Sequence, residues 1–346
     1  MTLLPIPPYF DPASVGRVWP VDYVTREAQA RVWAGTHNLG PASADNLRIC
    51  LMLIDCQNTF CTPDYELFVA GRSGTGAVDD TVRLCEFVYR HLHRITWIVA
   101  TLDTHTAVQI FHPVFWIDQA GEHPTGAATV ITVRDIEDGV WTVNPAVAGP
   151  VAGGDAEFLR QHALHYARML EKGRYPLMIW PYHAMLGSVG HALVSAVEEA
   201  LFFHGVARET SPRFETKGDN PLTENYSVLR PEVITGPNGA PIGAANEALV
   251  DRLADFDAVI VAGQAKSHCV AWTAADLLRM FSARDAALPE RVYLLEDCTS
   301  PVVVPGVVDF TEQAEAMFRE LAAGGMRVVR STDPMEAWGG ILAGQA

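Results

Sequence analysis

Six consecutive apolar residues, Ile49-Cys-Leu-Met-Leu-Ile54, run straight into an aspartate, Asp55. Six residues are too few for a buried helix. A stretch with no polar position on either face therefore reads as a central strand of a parallel sheet, covered on both sides. Comparable runs follow at Ile95–Leu102, Ala258–Gly263, Val292–Leu295 and Met326–Val329. Between them lie helical patterns at Asp79–His93, Val189–His204, Asn246–Ala254, Val270–Phe281 and Phe310–Ala323. In Val270–Phe281 the apolar positions 270, 271, 274, 277, 278 and 281 mark one helix face. Strands alternating with helices predict an α/β layered fold with parallel strands and right-handed crossovers. Ligands in such sheets bind beyond the carboxyl ends of the strands. Chemistry is therefore expected at Asp55, Asp103, Gly263–Cys269 and Asp297.

Composition narrows the class. With 346 residues, 49% hydrophobic and 19% charged, the chain can bury a core without disulfide or metal staples. Its formal net charge of −16 repels phosphate backbones and anionic lipid, so neither nucleic acid nor a membrane surface is an expected partner. No run approaches the ~20 apolar residues of a spanning helix. The N-terminal stretch has no basic region, and prolines break its apolar residues, unlike a signal peptide or anchor. Cys50, Cys56 and Cys85 sit in apolar surroundings with no disulfide-framework spacing, which fits a reducing, cytoplasmic setting.

Length alone allows two domains, but the order of the motifs argues for one, 1–346, with a core of about 48–330. Residues 1–47, rich in proline and aromatics with a helix expected at Val24–Trp33, read as an extension that wraps the body. Residues ~118–177 interrupt the alternation with β-like segments at Thr129–Val133 and Val140–Val143 and an amphipathic helix at Ala156–Lys172. They read as an insertion, either a lid or a contact in a homo-oligomer.

Cys269 is expected at a helix N-terminus, where the dipole favours thiolate and free N–H groups can hold an oxyanion. The competing reading is a small buried hydrophobe capping the helix. Asp55, poorly hydrated at the end of an apolar strand, suits a general acid/base; the alternative is a turn aspartate. Lys217 follows a short β-like stretch, and as a lone lysine it could equally be a surface residue. Asp103-Thr-His105 puts a carboxylate and an imidazole on one side of an extended chain, a pair suited to zinc, iron or manganese. His112 follows shortly and His183 is distant, so both depend on the fold to gather them. His268 suggests a Cys–His dyad, but neighbours at a helix start point in different directions, so it reads as a packing or rim residue. His91, His93, His162, His165, His191 and His204 fall in helical patterns and read as structural.

Taken together, these segments resemble the isochorismatase-like cysteine hydrolases, and within them the nicotinamidase branch. The family's D-x-Q-N-D-F is matched by Asp55-Cys-Gln-Asn-Thr-Phe60, with Thr59 in place of the second acid. The apolar stretch leading to a glycine is matched by Leu67-Phe-Val-Ala-Gly71, and D-x-H by Asp103-Thr-His105. W-P-x-H is matched by Trp180-Pro-Tyr-His183, with Ala184 replacing the customary cysteine. Lys217-Gly218, Tyr226-Ser227, Gly263-Gln-Ala-Lys-Ser-His-Cys-Val270 and Thr273-Ala274 complete the series.

The resemblance implies a three-layer α/β/α Rossmann-like fold with a mostly parallel sheet and a Cys269–Asp55–Lys217 triad. It also implies an oxyanion hole from the N–H groups of Ala265 and Cys269, and a cis peptide at Gln264–Ala265. A divalent metal, zinc in the first place with iron or manganese as alternatives, would be held by Asp103, His105 and His183, with His112 a fourth candidate. Phe60, Trp180 and Tyr226 would wall the pocket of a small-molecule amide. The implied activity is hydrolysis of nicotinamide or a related carboxamide. The same triad acting on a ureide, a maleamate-like amide or another metabolite amide is the alternative enzyme reading. A non-catalytic binding protein is the alternative outside enzymes.

Overall fold

In the strand Ile49–Ile54 (β1) the side chains alternate between two cores: Cys50, Met52 and Ile54 enter one, Ile49, Leu51 and Leu53 the other. The computed structural model describes residues 3–340, apart from 128 and 174. Five further strands join β1: Ile95–Asp103 (β2), Arg213–Lys217 (β3), Ala258–Gly263 (β4), Val292–Leu295 (β5) and Arg327–Val329 (β6). Their order is β6-β5-β4-β1-β2-β3, and every neighbouring pair is parallel. The α/β layered fold expected from the sequence is present.

The longer helices among the described residues are Tyr23–Thr36 (α1), which precedes the sheet, and Gly76–Arg90 (α2), Ala156–Glu171 (α3), Ser195–Ala207 (α4), Glu247–Ala254 (α5), Ala271–Arg284 (α6) and Thr311–Ala323 (α7), which lie in its connections. Leu249 and Leu253 of α5, Ala274 and Leu277 of α6, and Phe318 of α7 pack on the Cys50/Met52 face. Leu84 and Val88 of α2, Val197 and Ala200 of α4, and Ala30 of α1 pack on the Ile49/Leu51 face. The result is three layers. Among the described residues no helix is long and apolar enough to cross a membrane.

The chain leaves β1 towards β2 and β3, then returns to lay β4 on the other side of β1. A doubly wound sheet opens its ligand crevice at such a reversal. Here the crevice lies between the ends of β1 and β4, where Ile54 and Gly263 are paired. Gly263 has φ +118°, and a Cβ there would lie 2.0 Å from the Ile54 carbonyl oxygen, so only glycine lets the two strand ends meet.

Several boundaries differ from those expected. Residues 189–194 are not helical. Asn58 Nδ2 donates to the Val189 carbonyl (2.8 Å) and the Asn58 N–H to that of Ala192 (2.9 Å), and these bonds hold the segment in turns until the helix starts at Ser195. His191 therefore lies outside α4, and His91 and His93 lie beyond the end of α2. Among the described residues of the inserted region, Val130–Ile131 and Thr142–Val143 pair as strands, with Leu177–Met178 and Trp116–Ile117 respectively. Thr132, expected in a strand, instead caps the helix Val133–Glu137 in a reciprocal capping box with Asp135.

His204, on α4, shows how the layers are joined. Its ring is fully buried, and Nε2 donates to the Ile95 carbonyl at the start of β2 (2.8 Å). Burial pushes its pKa from 6.5 down to about 4. The unfolded chain thus binds a proton that the folded chain refuses, and stability falls as pH drops from 6.5 to 4. That gap corresponds to on the order of 3 kcal/mol. His204→Gln keeps a donor for Ile95, so proton uptake on unfolding across this window, measured by urea denaturation at stepped pH, should fall by about one. An unchanged pH slope would show that His204 does not report on folding.

Candidate active site

The ends of β1, β2 and β3 bring three charged side chains together. Lys217 closes β3 and is fully buried, and its ammonium donates to Asp103 Oδ1 (2.8 Å) and to the Asn225 carbonyl (2.9 Å). It lies 2.9 Å from Asp55 Oδ2 and 3.5 Å from the Cys269 sulfur. Asp55 follows β1 with φ +45°, a left-handed conformation that aspartate tolerates better than most residues. Its N–H donates to Thr101 Oγ1, whose hydroxyl donates back to Asp55 Oδ1. Gln57 ties the two strand ends: its Oε1 accepts the Asp103 N–H (2.8 Å) and its Nε2 donates to the Asp103 carbonyl (2.8 Å).

Cys269 lies in a π-helical turn, Lys266–Val270, rather than at the first residue of α6. The turn folds back on Ala265, whose carbonyl accepts the N–H groups of His268 (3.0 Å) and Val270 (3.2 Å). The Gln264–Ala265 peptide is cis. Cys269 is slightly exposed at 7%, whereas the other five cysteines are at 1% or less.

Burial pushes the Cys269 thiol above its ordinary range, and the Lys217 ammonium opposes this. Burial likewise raises Asp55 against the pull of Lys217. Asp103 behaves differently. Burial works to raise it, but the Lys217 ammonium pulls the other way, and Asp103 is held well below the usual carboxylate range. Lys217 in turn stays charged, because its carboxylate neighbours overcome the cost of burial.

Beside this group His105, His112 and His183 converge, each offering a ring nitrogen within 4.8 Å of the others. Their Nδ1 atoms donate to the carbonyls of His183 (3.2 Å), Ala107 (3.2 Å) and Pro181 (2.7 Å) respectively. That leaves each Nε2 as a lone-pair donor, the tautomer a metal ligand needs. Nε2 of His105 lies 3.1 Å from Asp103 Oδ1 and Nε2 of His183 lies 3.5 Å from Oδ2, while the buried Nε2 of His112 has no hydrogen-bond partner. Burial lowers the pKa of His105, and that of His112 to about 3, so both are neutral. These residues fit a divalent cation.

The cleft between the two groups spans about 400 Å³, counted out to its open mouth. Phe60, Trp180, Tyr226 and His268 supply aromatic walls, with Cys269, Asp103 and Glu224 among the polar groups. Trp180 Nε1 donates to the Tyr226 hydroxyl (3.1 Å), which fixes two of the walls. The structure thus brings Asp55, Lys217, Cys269, Asp103, His105, His112, His183, Phe60, Trp180, Tyr226 and Ala265 to one place. The sequence reading missed Glu224 and gave Gln57 and Thr101 no role. Thr101 carried a signal, as a polar residue inside an otherwise apolar strand. Glu224 carried none, since its loop has no periodicity.

No protein-family model and no curated sequence matches the chain. Solved structures do. A yeast nicotinamidase bound to the inhibitor nicotinaldehyde superposes with a TM-score of 0.50 at 17% identity, over 82% of this chain and 99% of that one. A nicotinamidase/pyrazinamidase of Acinetobacter baumanii gives 0.48 at 18% identity, over 82% and 97%. A Pyrococcus horikoshii pyrazinamidase in complex with zinc gives 0.42 at 18%, over 82% and 98%. The chain has the isochorismatase-like hydrolase fold.

Gly218 offers a test of whether these residues bind a metal. It has φ +85°, and a Cβ there would lie 2.8 Å from His105 Nε2 and 2.9 Å from Asp103 Oδ1. Gly218→Ala should therefore weaken zinc binding at least about tenfold in a calorimetric titration, as small disturbances around ligands commonly do. Unchanged affinity would show that these side chains are not the ligands.

Proposed function

We propose that this protein is a cysteine-dependent amidohydrolase. It converts nicotinamide or a related small carboxamide to the carboxylic acid and ammonia through a thioester. The observation that carries this reading is Lys217, whose ammonium lies 2.9 Å from Asp55 and 3.5 Å from the sulfur of Cys269, a residue that lines an aromatic cleft. A nicotinamidase of the same fold supports the choice of substrate.

Two carboxylates pushed in opposite directions divide the work between them. Asp55, raised by burial, is suited to take and return a proton; Asp103, held ionised, is suited to ligate a cation. In the reaction Asp55 removes the thiol proton and the Cys269 sulfur attacks the amide carbon. The carbonyl oxygen becomes an oxyanion facing the backbone N–H groups of Ala265 and Cys269. Collapse breaks the C–N bond while Asp55 returns its proton to the departing nitrogen, giving ammonia and the thioester. Asp55 then deprotonates a water that attacks the thioester, which frees the acid and restores the thiol. Lys217 stays charged throughout, stabilising the thiolate and fixing Asp55. Asp103, His105, His183 and His112 would hold a divalent metal such as zinc, iron or manganese. When bound, that ion supplies a Lewis-acid anchor for a substrate heteroatom such as a pyridine nitrogen.

Ammonia release from nicotinamide and a panel of small amides is the test. Cys269→Ala should abolish turnover, and Asp55→Asn should lower kcat by roughly 10²–10⁴-fold. Chelation should raise KM more than it lowers kcat, because the ion positions the substrate in this reading. A Cys269→Ala protein with full activity would refute the nucleophile, and a metal-free protein with unchanged KM would refute the anchor.

A further inference from the structure

The inserted region leans on the cleft from outside. On α3, His162 Nε2 donates to the Leu222 carbonyl (2.8 Å), and the Tyr166 hydroxyl accepts the Glu224 N–H (3.0 Å). Both bonds brace the loop that carries Glu224 and Tyr226. Beyond α3 the chain places Tyr175 against the other wall. Its ring lies 4.9 Å from His268, 5.5 Å from Phe310 and 5.6 Å from Trp272, centroid to centroid. Its hydroxyl donates to the Ser267 carbonyl (2.9 Å).

Ser267 sits two residues before Cys269 in the π turn, whose first residue, Lys266, is held by an ion pair to Glu315 on α7 (2.5 Å). Ser300 accepts the Lys266 N–H (2.8 Å), and the Ser267 hydroxyl oxygen accepts the Val302 N–H (3.0 Å). Both of these tie the turn to residues 300–302. The Tyr175 hydroxyl is its tie to the inserted region. A π turn has poorer hydrogen-bond geometry than an α-helix and relies on such outside support to hold one conformation.

We propose that Tyr175 is a positioning residue for the nucleophile: through Ser267 it holds the π turn so that the Cys269 sulfur stays against Lys217, and this is what the inserted region contributes to the site. The inference rests on the hydrolase reading only for its kinetic arm. Its chemical arm, alkylation of Cys269 by iodoacetamide, needs no substrate, and the near-complete burial of the other five cysteines makes it selective.

Tyr175→Phe removes the hydroxyl and keeps the ring, whereas Tyr175→Leu removes both. For Tyr175→Phe the expected result is Cys269 labelling slowed about threefold or more and kcat on nicotinamide lowered about fivefold, the worth of one hydrogen bond, with KM within twofold of wild type. Tyr175→Leu should be slower still. If Tyr175→Phe labels as fast as wild type or faster, the proposal falls, and a lower melting temperature for Tyr175→Leu alone would then mark Tyr175 as packing. If the wild-type protein turns over no amide, the hydrolase reading fails, and the labelling rates still decide the role of Tyr175.

Discussion

The site is organised around one buried ammonium. Moving a lysine and two aspartates out of water costs several kcal/mol per ion, and only close pairing with further hydrogen bonds offsets it. Lys217 obtains that pairing from Asp55 and Asp103 at the ends of two neighbouring strands, with the Asn225 carbonyl as a further acceptor. Removing Lys217 would leave two buried carboxylates without a compensating charge. The three strand ends are thus fixed relative to one another by electrostatics as well as by sheet hydrogen bonds. Gln57 reinforces the arrangement by bonding both the N–H and the carbonyl of Asp103.

This charge arrangement also explains the histidines. Lys217 offsets one of two carboxylates, so the pocket has a negative bias. Neutral imidazoles leave that bias in place and present lone pairs to it. His105 and His112, kept neutral by burial, provide them, and their Nδ1–H bonds to backbone carbonyls set the tautomer. Such a cradle fits a divalent cation, and glycine at 218 keeps a Cβ away from it.

The sequence made the fold and the strand-end residues legible because both depend on short-range patterns. An apolar run such as Ile49–Ile54 can satisfy its burial in few ways, and Asp55 is then placed by the strand itself. What stayed hidden depends on long-range bonds. The helical pattern at Val189–Val194 yields to Asn58, more than 130 residues away, which captures its carbonyls. The π turn at Lys266–Val270 looks like an ordinary helix start until Ser300, Val302 and Tyr175 are seen to hold it. Glu224 lies in a loop whose burial is imposed by α3, and nothing in its neighbouring residues records that.

His268 shows how the surroundings decide between two chemically reasonable bases. It adjoins Cys269 and lines the cleft, which suggests a Cys–His pair, although neighbours at a helix start point in different directions. The structure gives its Nδ1 to the Ser267 hydroxyl (2.8 Å) and encloses the ring between Tyr175, Trp180, Tyr226 and Phe310. Burial there pushes its pKa down to about 3. An imidazole that weakly basic cannot hold the proton of a thiol that burial has pushed upwards. Asp55, fixed by Lys217 and Thr101, is instead shifted upwards by the same burial, in the direction of the thiol. In the proposed reaction the proton therefore moves between Cys269 and Asp55, and His268 serves as a neutral aromatic wall.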